Sequence, residues 1–343
     1  MAKNKNITLK DMARHFGVSI STVSKAMNNS PEISAGLKEK IHTYAVTMQY
    51  RPNKMALSLR RKRSRTIGVV VPNILNHFFA QVLYGIQKVA AERNYHVISC
   101  ISDESFEKES KTLQLLDAGT VDGILMSLSE ETQRKKDLSA LQKLQHQGLP
   151  MVLFDRVSDR ISCDKVVVDD FEAGYKATTF LLQRACTSIV WVTPIGASSV
   201  GRLRLKGHQR ALEEAGIPFD ANLVVDLHDP TDLEAIIHWL LEHKKVDAMV
   251  GLDELTAVRL LQLVREKGLA VPQKISIIGF TNGPLSQYVT PALTTVSQHG
   301  KYIGESAAKL LVERLEHSSP PKEFTTKVVK TQLIERDSTT KPH

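Results

Sequence analysis

The sequence has little cysteine. Only Cys100, Cys163 and Cys186 occur among 343 residues, and an odd number of widely spaced thiols argues against a disulfide framework and is typical of a reducing compartment. The first residues lack the apolar core of a signal peptide, and no apolar run approaches the roughly 18 residues of a membrane span. We therefore expect a cytoplasmic protein without a membrane partner.

Acidic residues are scarce at the start of the chain. The first 65 residues hold 14 Lys and Arg against three Asp and Glu, whereas the rest of the chain holds 31 against 34. A basic segment of this kind neutralises phosphates, and the remainder is typical of an ordinary soluble body. With 42% hydrophobic residues the chain can form more than one core, so we expect several domains.

Residues 17–28 have the pattern of the turn and second helix of a helix-turn-helix. Gly17 can end one helix in the left-handed conformation, and Ser19 can cap the next. Thr8 and Asp11 form a variant of the capping box at the start of the first helix. The pattern therefore predicts two short helices that are joined by a tight turn.

The apolar spacing orients the second helix. Val23 and Met27 lie four residues apart, so they can pack against the apolar stripe of the first helix. Packing in this way turns Ile20, Ser21 and Lys25 outward, where DNA would lie. Two short capped helices in a row often serve only to pack against each other. Here the local positive charge favours DNA binding.

A third helix and a linker follow. Ser34 can cap a helix, and its apolar face would carry Leu37, Ile41, Ala45 and Met48. Residues 50–53 break that helix, and residues 54–59 are too short for a stable isolated helix, so they could fold on contact with DNA. The basic run 60–65 would by itself be a solvated linker, and its position favours contact with nucleic acid.

From Thr66 onward, short apolar runs alternate with amphipathic stretches, which predicts βα units and parallel sheets. For the first lobe we expect strands near Ile67, Val97, Gly123 and Met151 and helices over 79–93, 106–118 and 138–147. For the second lobe we expect strands over 165–168, 188–192, 223–226, 248–251 and 275–280 and helices over 174–183, 203–215, 233–243 and 254–267.

Two such lobes create a cleft, and ligands bind beyond the carboxyl ends of the strands. Carboxylates and a guanidinium can bind vicinal hydroxyls, and aromatic rings can cover a sugar ring or stack on a base. Residues that follow strands could alternatively serve only to end the strands and pair with one another. The candidates that follow strands are Asn73, Phe78, Phe79, Asp155, Arg156, Arg204, Asp253, Thr281 and Asn282.

The sequence closely resembles the LacI/GalR family of bacterial transcription regulators over nearly the whole chain. The motifs that carry the resemblance are residues 8–13, 17–19, 22–25 and 50–53 in the basic head, and 67–72, 155–156, 271–272, 278–280 and 291–296 in the body. The resemblance implies a small all-α helix-turn-helix DNA-binding domain and a two-lobed α/β effector domain, like periplasmic sugar-binding proteins, with parallel sheets. The expected domains are 1–52, a hinge and linker over 53–65, and 66–338.

The resemblance also implies a homodimer on a near-palindromic operator. Ile20, Ser21 and Lys25 would read base edges, while phosphates would be held by Thr8, Ser19, Thr22, Ser24 and Asn28. The segment from Asn53 would form a hinge helix in the minor groove, and Leu59 would be wedged between base pairs.

The matching effector positions are Asn73, Phe78, Phe79, Asp155, Arg204, Asp253 and Thr281. The chain departs from the family pattern at Leu252, where Asn is common, and at Thr281, where Asp is common. We expect a carbohydrate effector, which acts by changing lobe closure and thereby the spacing of the hinge segments. It could be an inducer or a corepressor.

Other classes of protein lack support in the sequence. The 196–201 stretch has the glycine spacing of a phosphate loop without its Lys, and residues 226–229 could suggest a metal but fit a solvated loop better. We expect neither an enzyme nor a cofactor. A ligand-binding module without DNA would have no use for the basic head. The polar C-terminus has no leucine heptads, so a coiled-coil tetramer is not expected.

Overall fold

The computed structural model describes residues 7–50, 64–117, 119–227, 229–317 and 323–340. The chain divides into two compact units at the bond between Ser64 and Arg65. Asn53 and Leu59, and with them the predicted hinge helix, lie outside the described residues.

The first unit contains the helices α1 (Leu9–Phe16), α2 (Ile20–Met27) and α3 (Ala35–Thr47). Thr8 and Asp11 form the predicted capping box, since each side chain bonds the other's backbone N–H. Gly17 ends α1 with a φ of 63°, and Ser19 Oγ accepts from the Thr22 N–H at 3.0 Å to start α2. These local signals from the sequence are confirmed.

The core of the first unit lies where the three helices meet. Its buried side chains are Met12, Ala13, Val23, Ala26, Ile41 and Ala45. Two details of the predicted third helix are wrong. Ser34 occupies the cap position, but its side chain makes no cap hydrogen bond, and Met48 is 47% exposed because the helix ends one residue before it.

One sheet of the second unit is entirely parallel. Its strands are β1 (Thr66–Val71), β2 (His96–Ile101), β3 (Gly123–Met126), β4 (Met151–Phe154), β5 (Asp164–Val168) and β11 (Thr326–Val329), in the order β11-β5-β4-β3-β1-β2. Its helices are α4 (His77–Glu92), α5 (Phe106–Asp117), α6 (Glu130–Lys135), α7 (Ser139–His146) and α13 (Gly300–Glu316).

The other sheet forms the second lobe. Its strands are β6 (Ile189–Thr193), β7 (Val224–Asp226), β8 (Ala248–Gly251), β9 (Ser276–Phe280), β10 (Thr294–Ser297) and β12 (Gln332–Ile334), in the order β12-β10-β9-β8-β6-β7. Its helices are α8 (Asp170–Leu182), α9 (Ser199–Glu214), α10 (Leu233–His243), α11 (Glu254–Glu266) and α12 (Pro284–Tyr288). The edge strand β12 is antiparallel to β10, whereas the prediction had only parallel strands.

The prediction for β5 placed it in the wrong lobe. The strand pairs with β4 in parallel, with Val152 opposite Asp164, so it belongs to the first sheet. The connection over residues 155–163 contains no helix, and counting βα units therefore assigned the strand to the second series. The chain passes between the lobes after β5, after β10 and after β11.

The helix α13 was absent from the prediction. It packs closely against α4, where Gly85 and Gly304 allow the two backbones to approach. A Cβ at Gly304 would lie 2.0 Å from Val82 O, and one at Gly85 would lie 2.2 Å from Lys301 O. Within the described ranges, no helix is both long and apolar enough to cross a membrane.

Candidate functional site

The proposed base-reading side chains lie on the outer face of α2. Ile20 is 49% exposed, Ser21 is exposed, and the Lys25 side chain is 40% exposed. They face away from Val23 and Ala26, which are fully buried. The sequence-based orientation of the helix is therefore confirmed, whereas contact with DNA stays a prediction.

The proposed phosphate ligands cluster at helix ends. Thr8 and Ser19 cap α1 and α2, and Thr22 Oγ1 lies 2.8 Å from Ser19 Oγ. Asn28 Nδ2 donates to Ser24 O at 2.7 Å at the other end of α2. Helix N-termini favour phosphate because their free N–H groups and dipole attract negative charge. Of the three helix N-termini in this unit, those of α1 and α2 have such side-chain caps.

Sequence reasoning missed a contact of Lys25. Its Nζ forms an ion pair with Glu32, which lies in the loop between α2 and α3. Both side chains are substantially exposed, so the pair contributes little to stability. The ion pair nevertheless engages the Lys25 ammonium group, to which the sequence analysis assigns base recognition.

The second unit contains a cavity of about 890 Å³ at the carboxyl ends of its strands. Both lobes and the connections between them contribute to it. The effector positions that the resemblance gives all line this cavity: Asn73, Phe78, Phe79, Asp155, Arg204, Asp253 and Thr281. Of the two further candidates that follow strands, Arg156 also lines it, whereas Asn282 does not, and its Oδ1 accepts from Arg336 Nη2. The structure thus brings together residues more than two hundred positions apart in sequence, such as Asn73 and Thr281, as the strand-end argument requires.

Asp155 lies at the polar end of the cavity. It follows β4 with a φ of 58°, it is 6% exposed, and its Oδ1 has no hydrogen-bond partner. Burial raises the pKa of Asp155, although the neighbouring Arg156 and Arg204 oppose that shift. An unpaired buried carboxylate oxygen favours a ligand that donates a hydrogen bond to it.

Arg156 and Glu104 extend this polar end. Arg156 Nη1 donates to both carboxylate oxygens of Glu104, at 2.8 and 2.6 Å, and its guanidinium lies 5.7 Å from the centre of the Phe79 ring. Arg156 Nε has no hydrogen-bond partner. The sequence placed Arg156 among the residues that follow strands, but Glu104 was missed because nothing local distinguishes it from other loop acids.

Arg204 joins the cavity to the core of the second lobe. Its Nε donates to Asp170 Oδ1 at 2.8 Å, and its Nη1 donates to Leu252 O at 3.1 Å. Its guanidinium lies 4.3 Å from the centre of the Phe280 ring, while Nη2 has no partner. Burial raises the pKa of Asp170 to about 7 despite the nearby Arg204.

Asp253 and Thr281 are engaged by the protein itself. Asp253 caps α11, where Oδ1 accepts from the Thr256 N–H and Oδ2 from Thr256 Oγ1, both at 2.8 Å. Thr281 has a φ of 75° and donates to Gln298 Oε1 at 2.9 Å. For these two residues the alternative interpretation, in which strand-end groups satisfy local partners, describes the observed hydrogen bonds.

The second lobe contributes a group of aliphatic side chains to the cavity beside the charged Arg204, Asp253, Glu254 and Arg259, and the sequence analysis did not anticipate this aliphatic wall. Leu252, where family members commonly carry Asn, was the one local signal of it. The wall includes Ile195, Val200, Leu227, Leu233, Leu252 and Leu285.

Hydrogen bonds join the two lobes at one side of the cavity. Gln133 on α6 accepts from the Ser199 N–H at 2.8 Å and donates to Ser199 Oγ at 3.1 Å. Glu130 Oε1 accepts from the Ala197 N–H at 2.9 Å, and burial raises the pKa of Glu130. The stretch that has phosphate-loop spacing therefore caps α9 and contacts the first lobe.

No group of three or more His, Cys, Asp and Glu side chains suited to a metal occurs in the part of the chain that the structure describes. The three cysteines are free. Asp229 accepts from the Thr231 N–H at 2.9 Å, as in a solvated turn, and His228 lies outside the described residues.

Comparisons with known proteins identify the class to which this arrangement belongs. Residues 8–53 match the model of the lacI family of bacterial regulatory proteins, and residues 178–339 match a periplasmic binding protein-like domain. A three-helix head of this kind with such a body defines a DNA-binding transcriptional regulator that has a ligand-binding domain.

Two similar proteins support this assignment. The HTH-type transcriptional regulator DegA of Bacillus subtilis is 32% identical over 87% of this chain and 88% of its own length. The HTH-type transcriptional repressor PurR of Vibrio atlanticus is 30% identical over 90% of this chain and 92% of its own. The chain belongs to the lacI family, whose members found here are transcriptional regulators and not enzymes.

Solved structures agree with the fold. A lac repressor dimer bound to operator covers 98% of this chain and 99% of its own, with a TM-score of 0.82 at 22% identity. A LacI family regulator from Enterococcus faecium with bound ribose covers 81% of this chain and 99% of its own, with a TM-score of 0.70 at 29% identity. The match over residues 8–53 leaves the alternative of a binding module without DNA unsupported.

Proposed function

We propose that this protein is a repressor whose operator affinity is controlled by a carbohydrate bound in the cavity. The observation that carries the proposal is that one cavity contains an acceptor and two donors without a hydrogen bond: Asp155 Oδ1, Arg156 Nε and Arg204 Nη2. Of these, Arg156 Nε lies 3.9 Å from Asp155 Oδ2 in an ion pair. A hydroxyl both donates and accepts, so neighbouring hydroxyls of a sugar satisfy such groups. The regulator with bound ribose supports this ligand class.

Phe78 and Phe79 supply the aromatic part of the site. Their rings meet edge to face, with centroids 5.2 Å apart, at the start of α4. Both are almost fully buried and line the cavity. An aromatic ring can cover the apolar face of a sugar ring, so these residues would hold the carbohydrate from the first lobe.

DNA recognition is assigned to the first unit. Ile20, Ser21 and Lys25 read base edges, and phosphates are held by Thr8, Ser19, Thr22, Ser24 and Asn28. Asn53 and Leu59 belong to the predicted hinge in the minor groove. The exposure of the outer face of α2 and the two capped helix N-termini support this division of roles.

A homodimer completes the proposal, since two recognition helices match the two halves of a near-palindromic operator. Exposed apolar side chains on the edge strand β2 support an interface there, because Ile98 and Ile101 are 38% and 44% exposed. The proposed domains remain 1–52, 53–65 and 66–338, with the observed unit boundary falling inside the hinge and linker.

Control of the operator would follow from linkage between the two sites. An effector that contacts both lobes favours the closed arrangement, in which Gln133 and Ser199 are bonded. Closure then alters the spacing of the hinge segments. Whether the effector releases the operator or strengthens its binding depends on which arrangement spaces the hinges correctly.

Selection of duplexes from a random pool tests this proposal. The purified full-length protein is used with and without a mixture of sugars and nucleobases. Enrichment of a palindrome with a flexible pyrimidine–purine centre supports the repressor, and enrichment only without or only with ligands identifies an inducer or a corepressor. If no sequence is enriched in either condition, the proposal is wrong.

A further inference from the structure

The helix α6 of the first lobe contacts the N-terminus of α9 in the second. Glu130 Oε1 accepts from the Ala197 N–H at 2.9 Å, and Gln133 Oε1 accepts from the Ser199 N–H at 2.8 Å. We call these four residues the interlobe seam. Their hydrogen bonds require the lobes to be closed, so the chemistry of the seam contributes to the stability of the closed arrangement.

The Glu130 carboxylate has a further carboxylate near it on each lobe. In the first lobe, Glu104 Oε2 accepts from the Glu130 N–H at 2.8 Å. In the second lobe, Asp226 Oδ1 accepts from the Gly196 N–H at 3.3 Å, directly beside the loop residue that bonds Glu130. Glu104 remains near Glu130 in any arrangement of the lobes, whereas Asp226 approaches only on closure.

The cations at the seam are arginines that have other partners. Arg156 of the first lobe donates from Nη1 to both carboxylate oxygens of Glu104. Arg202 on α9 donates from Nη1 to the carbonyl oxygen of the loop residue that bonds Glu130. The remaining acid at this end of α6 is Glu109, which accepts from the N–H of the residue before Glu130 at 2.7 Å.

Closure of the lobes changes the proton affinity of Glu130. Burial raises its pKa, and the nearby Glu104 and Asp226 add to this shift, while the Ala197 N–H and Arg156 oppose it. Opening would return the carboxyl to water and remove Asp226 from its surroundings. The closed arrangement therefore binds a proton at Glu130 more readily than the open arrangement, and a fall in pH favours closure.

We propose that the interlobe seam is a pH-sensitive latch, in which protonation of Glu130 favours the closed arrangement of the lobes. A neutral carboxyl still accepts from the Ala197 N–H, so the hydrogen bond is kept while the repulsion from Asp226 is lost. The inference goes beyond the proposed function and requires no effector. If an effector closes the lobes as proposed, its affinity should rise as the pH falls.

Hydrogen exchange of the full-length protein without ligand tests the latch. Mass spectrometry follows the backbone N–H groups of residues 196–200, and each rate is divided by the intrinsic exchange rate at the same pH to give a protection factor. We expect protection to be several-fold greater at pH 5 than at pH 8. No change at the seam, or a change of the same size in β8 (Ala248–Gly251), would overturn the inference.

Substitutions on α6 assign the effect to one carboxyl. Glu130→Gln keeps an acceptor for the Ala197 N–H without a charge, so protection at pH 8 should rise to the level of wild type at pH 5 and vary little with pH. Glu131→Gln is the matched control, because Glu131 pairs with Lys135 of its own helix at 2.8 Å. This control should keep the pH dependence of wild type.

The variants also define the results that contradict the latch. Wild-type pH dependence in Glu130→Gln would place the titrating group elsewhere, and lower protection in Glu130→Gln at pH 8 would show that the charged form favours closure. Asp226→Asn should raise protection at pH 8, because it removes the carboxylate that the second lobe brings to Glu130.

The outcomes separate this inference from the proposed function. If duplex selection finds an operator that responds to a ligand while protection of the seam does not depend on Glu130, the latch fails and effector control stands. If no duplex is enriched but the seam responds to pH through Glu130, the latch stands and the proposed function fails.

Discussion

Arg204 and Asp170 form a buried ion pair, in which Arg204 Nε donates to Asp170 Oδ1 at 2.8 Å and the two side chains are 1% and 2% exposed. The pair holds the guanidinium in place, so that Nη2 remains unpartnered at the cavity. A buried pair of this kind contributes orientation more clearly than stability, since desolvation offsets the attraction. It therefore links the core of the second lobe to ligand recognition.

Arg204→Met should destabilise the protein by about 3–5 kcal/mol, because Asp170 is left buried without its partner. The loss should be smaller at pH 5 than at pH 8. The raised pKa of Asp170 means that its carboxyl takes up a proton in the folded protein as the pH falls, which removes the unpaired charge. Urea unfolding at the two pH values measures this.

The double variant Arg204→Met with Asp170→Asn is the control for that experiment. It should recover most of the stability, because neither charge is then buried. Effector binding should remain lost, since the donor at the cavity is absent. Recovery of binding together with stability would show that Arg204 does not contact the effector.

Glu32→Gln should increase operator affinity several-fold at low salt. The substitution releases Lys25 from its ion pair and removes a negative charge beside α2. Glu39→Gln, an exposed change of the same charge on α3, should have a smaller effect. Fluorescence anisotropy with labelled operator across a salt series measures both, and equal effects would assign the gain to net charge alone.

Ile20→Ala should change base preference without changing stability. The side chain is 49% exposed, so unfolding free energy should stay within about 0.5 kcal/mol of wild type. Discrimination at one operator position should fall by about 1–3 kcal/mol. Val46→Ala, at 79% exposure on α3, is the control that should leave preference intact. Repeating the duplex selection with each variant provides the comparison.

Gln133→Ala should weaken effector binding without altering the cavity lining. The substitution removes two hydrogen bonds between α6 and Ser199 and so favours the open arrangement of the lobes. In the absence of effector, the operator affinity of the variant should move toward the affinity that belongs to the open arrangement of the lobes. Gln114→Ala changes an exposed residue of the first lobe and should affect neither quantity. Calorimetry and anisotropy on the same preparations distinguish the two effects.

His208→Gln should reduce the loss in the free energy of unfolding that occurs as the pH falls from 6.5 to 4. Burial lowers the pKa of His208 to about 4, and its ring stacks on Trp191 and bonds Thr178. The unfolded chain therefore binds a proton below the ordinary pKa of 6.5, whereas the folded chain does not. Wild type should lose up to about 3 kcal/mol between pH 6.5 and pH 4 through this group.

The variant His208→Gln should lack that loss over the same pH range. His243→Gln, which changes an exposed histidine of α10, should keep it. Thermal unfolding between pH 4 and pH 7 gives the comparison, and identical profiles for wild type and His208→Gln would contradict the role of His208.

The local signals were read correctly where short-range chemistry decides. Thr8, Gly17 and Ser19 cap or end helices because of groups within four residues, so the sequence alone was sufficient. The strand-end rule likewise placed Asp155 in the cavity, because parallel strands direct their carboxyl ends to the same edge. Arg204 lines the same cavity from within α9 and not from a strand end. The rule did not reveal Glu104, whose role depends on a partner 52 positions away.

The sequence by itself determined the helix-turn-helix, the βα rhythm, the basic head and the residues at the strand ends, since each depends on neighbours along the chain. Tertiary structure decided that β5 and α13 belong to the first lobe, that Lys25 pairs with Glu32, and that leucines form one wall of the cavity. These features depend on which distant segments meet. Their physical reason is long-range packing and charge pairing, and a local sequence pattern does not specify which distant segments take part in them.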